Sequence, residues 1–302
     1  MKFSVWPDSG RSPHELLDVA RMADGDGWFG LWYADHYMPN TGDESFTPGD
    51  MHECWSLLPA VAAVTSNIRL GPLVAPTSVH HPALLANRAA TLDHLSGGRF
   101  VLGMGAGWQI NEHAAYGIDL EAPGPRVSRF EESIQIVRSL LDDDRTTFRG
   151  EFYEFTDAPC DPKPVQERLP IVVGTKSPRM LRITCTYAQE WNTWGAPDLA
   201  GTVREKFLSA CDSVGTDPAS MHTSVQALIV MTDDQDKIDA AHANPMGDRV
   251  IAGSDDKIVA ELSRYVEQGF DEFIVYEGAL GTTHEERLDG FRRFKSDIAP
   301  QL

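Results

Sequence analysis

The chain has 302 residues, a length that suits one large α/β barrel or two ordinary domains. Its 26 Lys and Arg against 45 Asp and Glu leave a formal net charge of −19, which argues against nucleic acid or an anionic membrane as partner, because both are held by cationic side chains. Cys54, Cys160, Cys185 and Cys211 form no CxxC pair, which argues against a zinc site or a disulfide framework and for a reducing, cytoplasmic setting. The opening MKFSVWPDSG lacks the apolar core of a signal peptide, and no apolar run approaches a membrane span.

Short apolar runs alternate with amphipathic stretches along the chain. Residues 2–6 (KFSVW) read as a strand; in 13–23, Leu16, Leu17, Val19, Ala20 and Ala23 share a helical face, and Gly25 and Gly27 stop the helix. Residues 29–34 (FGLWYA) form a second strand, 52–65 a helix, 68–75 (IRLGPLVA) a third strand, and 82–95 a helix with Pro82 in its first turn. The fourth strand spans 99–104 (RFVLGM), followed by a long helix over 126–141 and an irregular, aromatic and proline-rich insertion over 146–169. Residues 171–174 and 190–194 make the fifth and sixth strands, with helices near 178–188 and over 199–214. The seventh strand covers 223–231 (TSVQALIVM). Helices over 234–243 and 256–268 are joined by a Gly/Pro-bearing turn. The eighth strand is 272–276 (EFIVY), and the last helix is 284–298.

Eight strands, each followed by a helix at about 38 residues per unit, predict one TIM (β/α)8 barrel domain over residues 1–302 with insertion loops. The strands are continuous apolar runs, as parallel strands buried on both faces require. A doubly wound open sheet is the alternative.

In such a barrel the site gathers at the C-terminal strand ends. Strand 2 ends at Asp35-His36-Tyr37, and a histidine there exchanges protons near neutral pH; a capping or surface histidine is the plainer reading. Gly103, Gly105 and Gly107 alternate at the end of strand 4, which lets a backbone approach something flat, or simply makes a turn. Gly174-Thr175-Lys176-Ser177-Pro178 lies between strand 5 and a helix start, where free N–H groups and a Ser177 N-cap suit a phosphate, or an ordinary βα turn. Trp6, Trp108, Trp191 and Trp194 are ring-bearing groups able to line a pocket, whereas Trp32, inside a strand, reads as core. The sequence has no G-x-S-x-G elbow, no Walker A loop and no H-E-x-x-H. His80-His81 has no carboxylate at metal-ligand spacing, and Asp142-Asp143-Asp144 reads as a solvated run.

Taken together, WYADHYMPN (32–40), the segment RLGPLVAPTSVHHPALLANRAATLDHLSGGRFVLGMGAGWQINEHAAYGI (69–118), RFEESIQIVRSLL (129–141), the F-x-G-x-x-Y stretch 148–153, PKPVQ (162–166) and YAQEWNTWG (187–195) resemble the bacterial luciferase-like oxidoreductases, in particular the subgroup dependent on the deazaflavin coenzyme F420. The resemblance covers most of the chain and implies a TIM barrel and a homodimer. It places His36 near the reactive edge of the deazaflavin and implies a non-proline cis peptide near Leu73-Val74 behind the ring. It implies cofactor contacts at Asp35, Gly105, Ala106, Gly107, Asn111 and Trp194, and a phosphate site at Gly174-Thr175 with Lys176 and Arg179 beside it. Trp6, Trp108 and His113 would shape the substrate side. Two departures stand out. The phosphate turn of the family has consecutive glycines, where this chain has Gly174-Thr175-Lys176; the lysine supplies charge there, or the cofactor is held weakly. Trp108 stands where the sugar-phosphate dehydrogenase branch has a glutamate proton donor, which argues against a sugar phosphate as substrate.

Three functions follow from the resemblance. The first is an F420-dependent oxidoreductase moving hydride to or from a small organic substrate. The second is a monooxygenase using O₂ and reduced FMN from a separate reductase. The third is a non-catalytic barrel that binds a flavin-like molecule.

Overall fold

The computed structural model describes residues 1–244 and 246–302. Nine parallel strand segments make one sheet: β1 (Lys2–Trp6), β2 (Gly30–Tyr33), β3 (Arg69–Pro72), β4 (Ala75–Pro76), β5 (Leu102–Gly105), β8 (Ile171–Gly174), β9 (Glu190–Trp194), β10 (His222–Met231) and β12 (Glu272–Tyr276), with β6 (Thr146–Arg149), β7 (Glu154–Ala158) and β11 (Val250–Gly253) outside this path. The path runs β3-β2-β1-β12-β10-β9-β8-β5-β4. Because β3 and β4 are two halves of one strand, a path that begins on one and ends on the other is a closed barrel. The eight expected strands are these, with the third broken in two at the cis Leu73–Val74 peptide.

The helices are α1 (Pro13–Gly25), α2 (Cys54–Val64), α3 (Pro82–Ser96), α4 (Ile110–Tyr116), α5 (Pro123–Asp142), α6 (Pro178–Tyr187), α7 (Pro197–Val214), α8 (Gln235–Ala243), α9 (Asp255–Glu267) and α10 (His284–Arg293). Local chemistry sets their ends. Ser12 and Glu15 form a capping box at the start of α1, and Thr283 and Glu286 form one at α10. None of these helices is long and apolar enough to cross a membrane, among the described residues.

The structure adds to the sequence pattern in three places. Residues 146–169 are not wholly irregular, since β6 and β7 pair there as an antiparallel hairpin. The turn expected between α8 and α9 contains β11, which extends the sheet beside the far end of β10. A short helix, α4, follows the glycine-rich end of β5.

Successive residues of each strand face opposite sides, and both sides are buried. Leu31 and Tyr33 join the layer beneath the helices, whereas Trp32 joins Leu73, Val101, Val172 and Ile274 in a separate cluster inside the barrel, with Trp6 and Val74 packed at its edge. The seam where β3 meets β5 is unusually close. A Cβ on Gly71 would lie 2.1 Å from the Val101 carbonyl oxygen, and one on Gly103 would lie 1.9 Å from that of Pro72. Only glycine lets the backbones approach this far.

Candidate active site

Strand pairing brings the C-terminal ends to one rim: Trp6 is level with Tyr276, Trp194 with Gln226, Gly174 with Asn192 and Pro76 with Gly105. One wall of the mouth is aromatic. The Trp6 ring packs edge-on against Trp194 at 5.4 Å and tilted against Tyr276 at 5.1 Å, and the Arg249 guanidinium lies 5.7 Å from the Trp194 ring.

The opposite wall is the Leu73–Val74 step. The glycines of β5 serve it rather than standing open. A Cβ on Gly105 would lie 2.7 Å from Val74 Cγ2, and one on Gly174 3.4 Å from the same atom. Gly107, at φ +91°, would put a Cβ 2.2 Å from Ser78 Oγ. The flat object that the glycine spacing accommodates is therefore the protein's own backbone and Val74, with Gly103 consumed by the barrel seam. Ala106 is half-buried beside this wall.

His36 stands half-exposed just past β2. Its Nδ1 lies 2.9 Å from Glu112 Oε1, and its ring meets Trp108 edge-on at 5.3 Å, 86° between planes. Trp108 itself is 56% exposed. Asp35 is turned away from the mouth: its Oδ2 accepts from Trp55 Nε1 and His80 Nε2, each at 2.8 Å, and Oδ1 is buried without a partner. It anchors the base of the loop from within the protein.

His113, expected on the substrate side, is 2% exposed. Its Nε2 bonds Ser78 Oγ at 2.8 Å and its Nδ1 the Gln109 carbonyl at 2.6 Å, so both ring nitrogens are taken up within the protein. Asn111 is equally buried. Its Nδ2 donates to the Pro39 carbonyl at 2.8 Å and leaves Oδ1 without a partner.

Past β8, Trp191 Nε1 donates to the Thr175 carbonyl, and the Thr175 N–H donates to that of Asn192, which fixes the turn. Ser177 is the N-cap of α6, as the spacing suggests, but its side chain makes no capping bond. Pro178 has no N–H and the Ser177 N–H donates to Thr175 Oγ1 at 3.3 Å, so the N–H groups of Arg179 and Met180 are those left without a side-chain acceptor, a candidate anion site. Lys176 is exposed and joins no ion pair among the described residues. Arg179 does not share this role, because its guanidinium is tied to Glu131 at 2.7 Å and Ser128 at 3.0 Å on α5.

Sequence reasoning missed Glu112, Gln109, Trp55, His80 and Ser78. Each acts on a partner at least 20 positions away, so no local spacing announces it. Glu277, at the end of β12, is 1% exposed; burial pushes its carboxyl up against the pull of Arg11, whose Nε lies 3.0 Å away. Among the described residues no cluster is suited to a metal ion.

A closed parallel barrel whose C-terminal rim carries an aromatic wall, a backbone bulge and an uncapped helix start defines a TIM barrel with its candidate site at the usual end. Within that class the chain belongs to the luciferase-like monooxygenase family, whose profile matches residues 1–290. It is 33% identical over 169 residues to an F420-dependent glucose-6-phosphate dehydrogenase of Amycolatopsis mediterranei, covering 55% of this chain and 49% of that protein. The chain thus spans about half the length of the curated relatives it matches in this way. A second such dehydrogenase, from Rhodococcus jostii, is 29% identical across 96% of this chain and 94% of its own. A solved F420-dependent secondary alcohol dehydrogenase, complexed with an F420–acetone adduct, superposes with a TM-score of 0.84 at 19% identity, covering 100% and 99% of the two chains; that likeness shows the fold.

Proposed function

We propose that this chain is an oxidoreductase that binds coenzyme F420 at the barrel mouth and passes hydride between it and a small organic substrate. The observation that carries the reading is the β8–α6 turn. An uncapped helix start and a lysine unpaired among the described residues flank the rim of a protein whose net charge is −19, which favours a local anion site where the global charge opposes one. The residues present fit an extended anionic cofactor with a polar ring. Thr77 Oγ1 and Asn111 Oδ1, from two loops at this end, are buried polar atoms with no partner among the described residues, and such atoms call for a ligand or water.

When bound, F420 supplies the carbon that gives or takes hydride. Lys176 and the first N–H groups of α6 hold its phosphate. Leu73 and Val74 back the ring, and Gly105, Ala106 and Gly107 shape the strand end beneath it. Trp6, Trp194 and Tyr276 exclude water from the facing side, where an organic substrate lies. His36 holds or releases a proton at Nε2. Trp108, where the sugar-phosphate branch has a glutamate, removes a proton donor and adds an apolar face, which argues against a sugar phosphate as substrate. Assembly as a homodimer rests on the family resemblance.

Calorimetric titration with F420 and with FMN, separately, tests the cofactor. F420 binding with FMN silent supports the reading. Binding of reduced FMN with O₂ uptake would replace it with the two-component monooxygenase, which needs a separate reductase. No shift of Tm with either leaves a non-catalytic barrel.

A further inference from the structure

We propose that Glu112 is a positioning residue of this site, acting through His36: its buried carboxylate holds the imidazole as the Nδ1–H tautomer and leaves Nε2 as an acceptor at the barrel mouth. The functional weight of this tautomer rests on the reading of His36 given above; the tautomer itself does not.

With Glu112 as a carboxylate, the geometry assigns a role to each atom. Glu112 lies on α4 at 1% exposure. Its Oε2 accepts the backbone N–H of Tyr37 at 3.0 Å, and its Oε1 lies 2.9 Å from His36 Nδ1. A backbone N–H is a donor under all conditions, so Oε2 is committed as an acceptor. An ionised carboxylate has no proton to give, so Nδ1 must be the donor in the second bond. A neutral imidazole that donates from Nδ1 is an acceptor at Nε2, the nitrogen for which no protein partner exists among the described residues.

Nothing else around the ring competes. Trp108 meets it edge-on, and Asp35, next in the chain, is occupied by Trp55 and His80; the His80 Nδ1 in turn lies 3.4 Å from Arg88. The loop bearing His36 is also fixed from the same helix and the residue before it: Gln109 Nε2 donates to the Met38 carbonyl and Asn111 Nδ2 to that of Pro39, both at 2.8 Å. Residues 109–112 thus grip residues 36–39 at four points, and only the Glu112 contact reaches a group able to exchange a proton at the mouth.

Glu112→Gln is a sharp probe because the Tyr37 N–H dictates how the amide sits. The amide oxygen must face that donor, so its NH₂ turns to His36 Nδ1 and can only donate. The ring is then forced into the Nε2–H form. The measurement is ¹⁵N NMR of the imidazole nitrogens at alkaline pH, where histidine is neutral, on the cofactor-free protein. His36→Gln identifies the His36 signal among the ten histidines.

The expected result is Nδ1–H in the wild type and Nε2–H in Glu112→Gln. An Nε2–H wild type overturns the proposal without any variant, and so does a folded Glu112→Gln whose tautomer is unchanged. In F420 titrations each single variant should weaken binding about tenfold, the scale of one charge-assisted hydrogen bond, and the double variant no further, because both changes break one unit. Additive losses would show that Glu112 acts by another route. A wild type that binds no F420 would sink the proposed function and leave the tautomer result standing.

Discussion

The two ends of the barrel differ in how their polar groups are partnered. At the N-terminal end the charged groups are closed off by one another. Glu272, fully buried, accepts from Trp32 Nε1 at 2.9 Å and from His222 Nε2 at 2.8 Å. Arg69 pairs with Glu190 there. Arg99 donates to the carbonyls of Ser96, Ile68, Ala62 and Thr65, and Asp24 accepts three backbone N–H groups. Among the described residues, at the C-terminal end Asp35, Thr77 and Asn111 keep buried oxygens without partners, the start of α6 is uncapped, and Lys176 pairs with no carboxylate. A buried polar group without a partner costs about 1–3 kcal/mol. Such atoms also occur away from the rim, at Trp28 Nε1, Arg138 Nε and Gln268 Oε1 among the described residues; what sets the C-terminal end apart is that three of them gather there with an uncapped helix start and an exposed lysine.

The largest effect is expected at the seam of β3 and β5, which holds the two ends together. Gly103→Ala should destabilise by about 3 kcal/mol, because the new Cβ meets backbone and not a yielding side chain. The midpoint of denaturant unfolding reports it, and an unchanged midpoint would mean the strands have room to part.

Next, Glu272→Gln at the closed end should cost about 2 kcal/mol near neutral pH. It should also change the acid limb of stability. Burial pushes the Glu272 carboxyl up, but the hydrogen bond and charge of His222 and the charge of Arg69 outweigh it and hold the group below its ordinary 4.5. A depressed carboxyl contributes stability that is present above pH 4.5 and lost as pH falls through the folded value. Unfolding curves across pH 5 to 2 should therefore fall less steeply in the variant.

At the open end, Lys176→Glu should weaken F420 binding at least about tenfold, or 1.4 kcal/mol, with Tm unmoved; equal affinity would place the phosphate elsewhere. The smallest effect belongs to Arg179→Ala. Its exposed pair with Glu131 is worth less than about 1 kcal/mol, and because that pair turns it from the turn, F420 affinity should not change.

The strands were readable because a buried parallel strand announces itself as an apolar run; β1, β8, β9 and β12 fall where the runs of residues 2–6, 171–174, 190–194 and 272–276 put them. β11 was not readable, since VIAG is too short to stand out from the turn around it, and β6 and β7 are too polar and exposed to register as a run. The site was legible as a set of strand ends. Its internal arrangement was not: His113 and Trp108 are five positions apart, yet one is buried against Ser78 and the other is exposed against His36.

The sequence by itself determined the eightfold alternation of strand and helix, because periodicity and turn residues act over a few positions; closure of the sheet into a barrel rests on the strand pairing. Only the tertiary structure decided which glycines make room for backbone, that Arg179 is spoken for while Lys176 is free, and that Glu112 reaches His36 across 76 residues. Those outcomes depend on which loops a closed barrel sets side by side, and no local pattern in the chain encodes that adjacency.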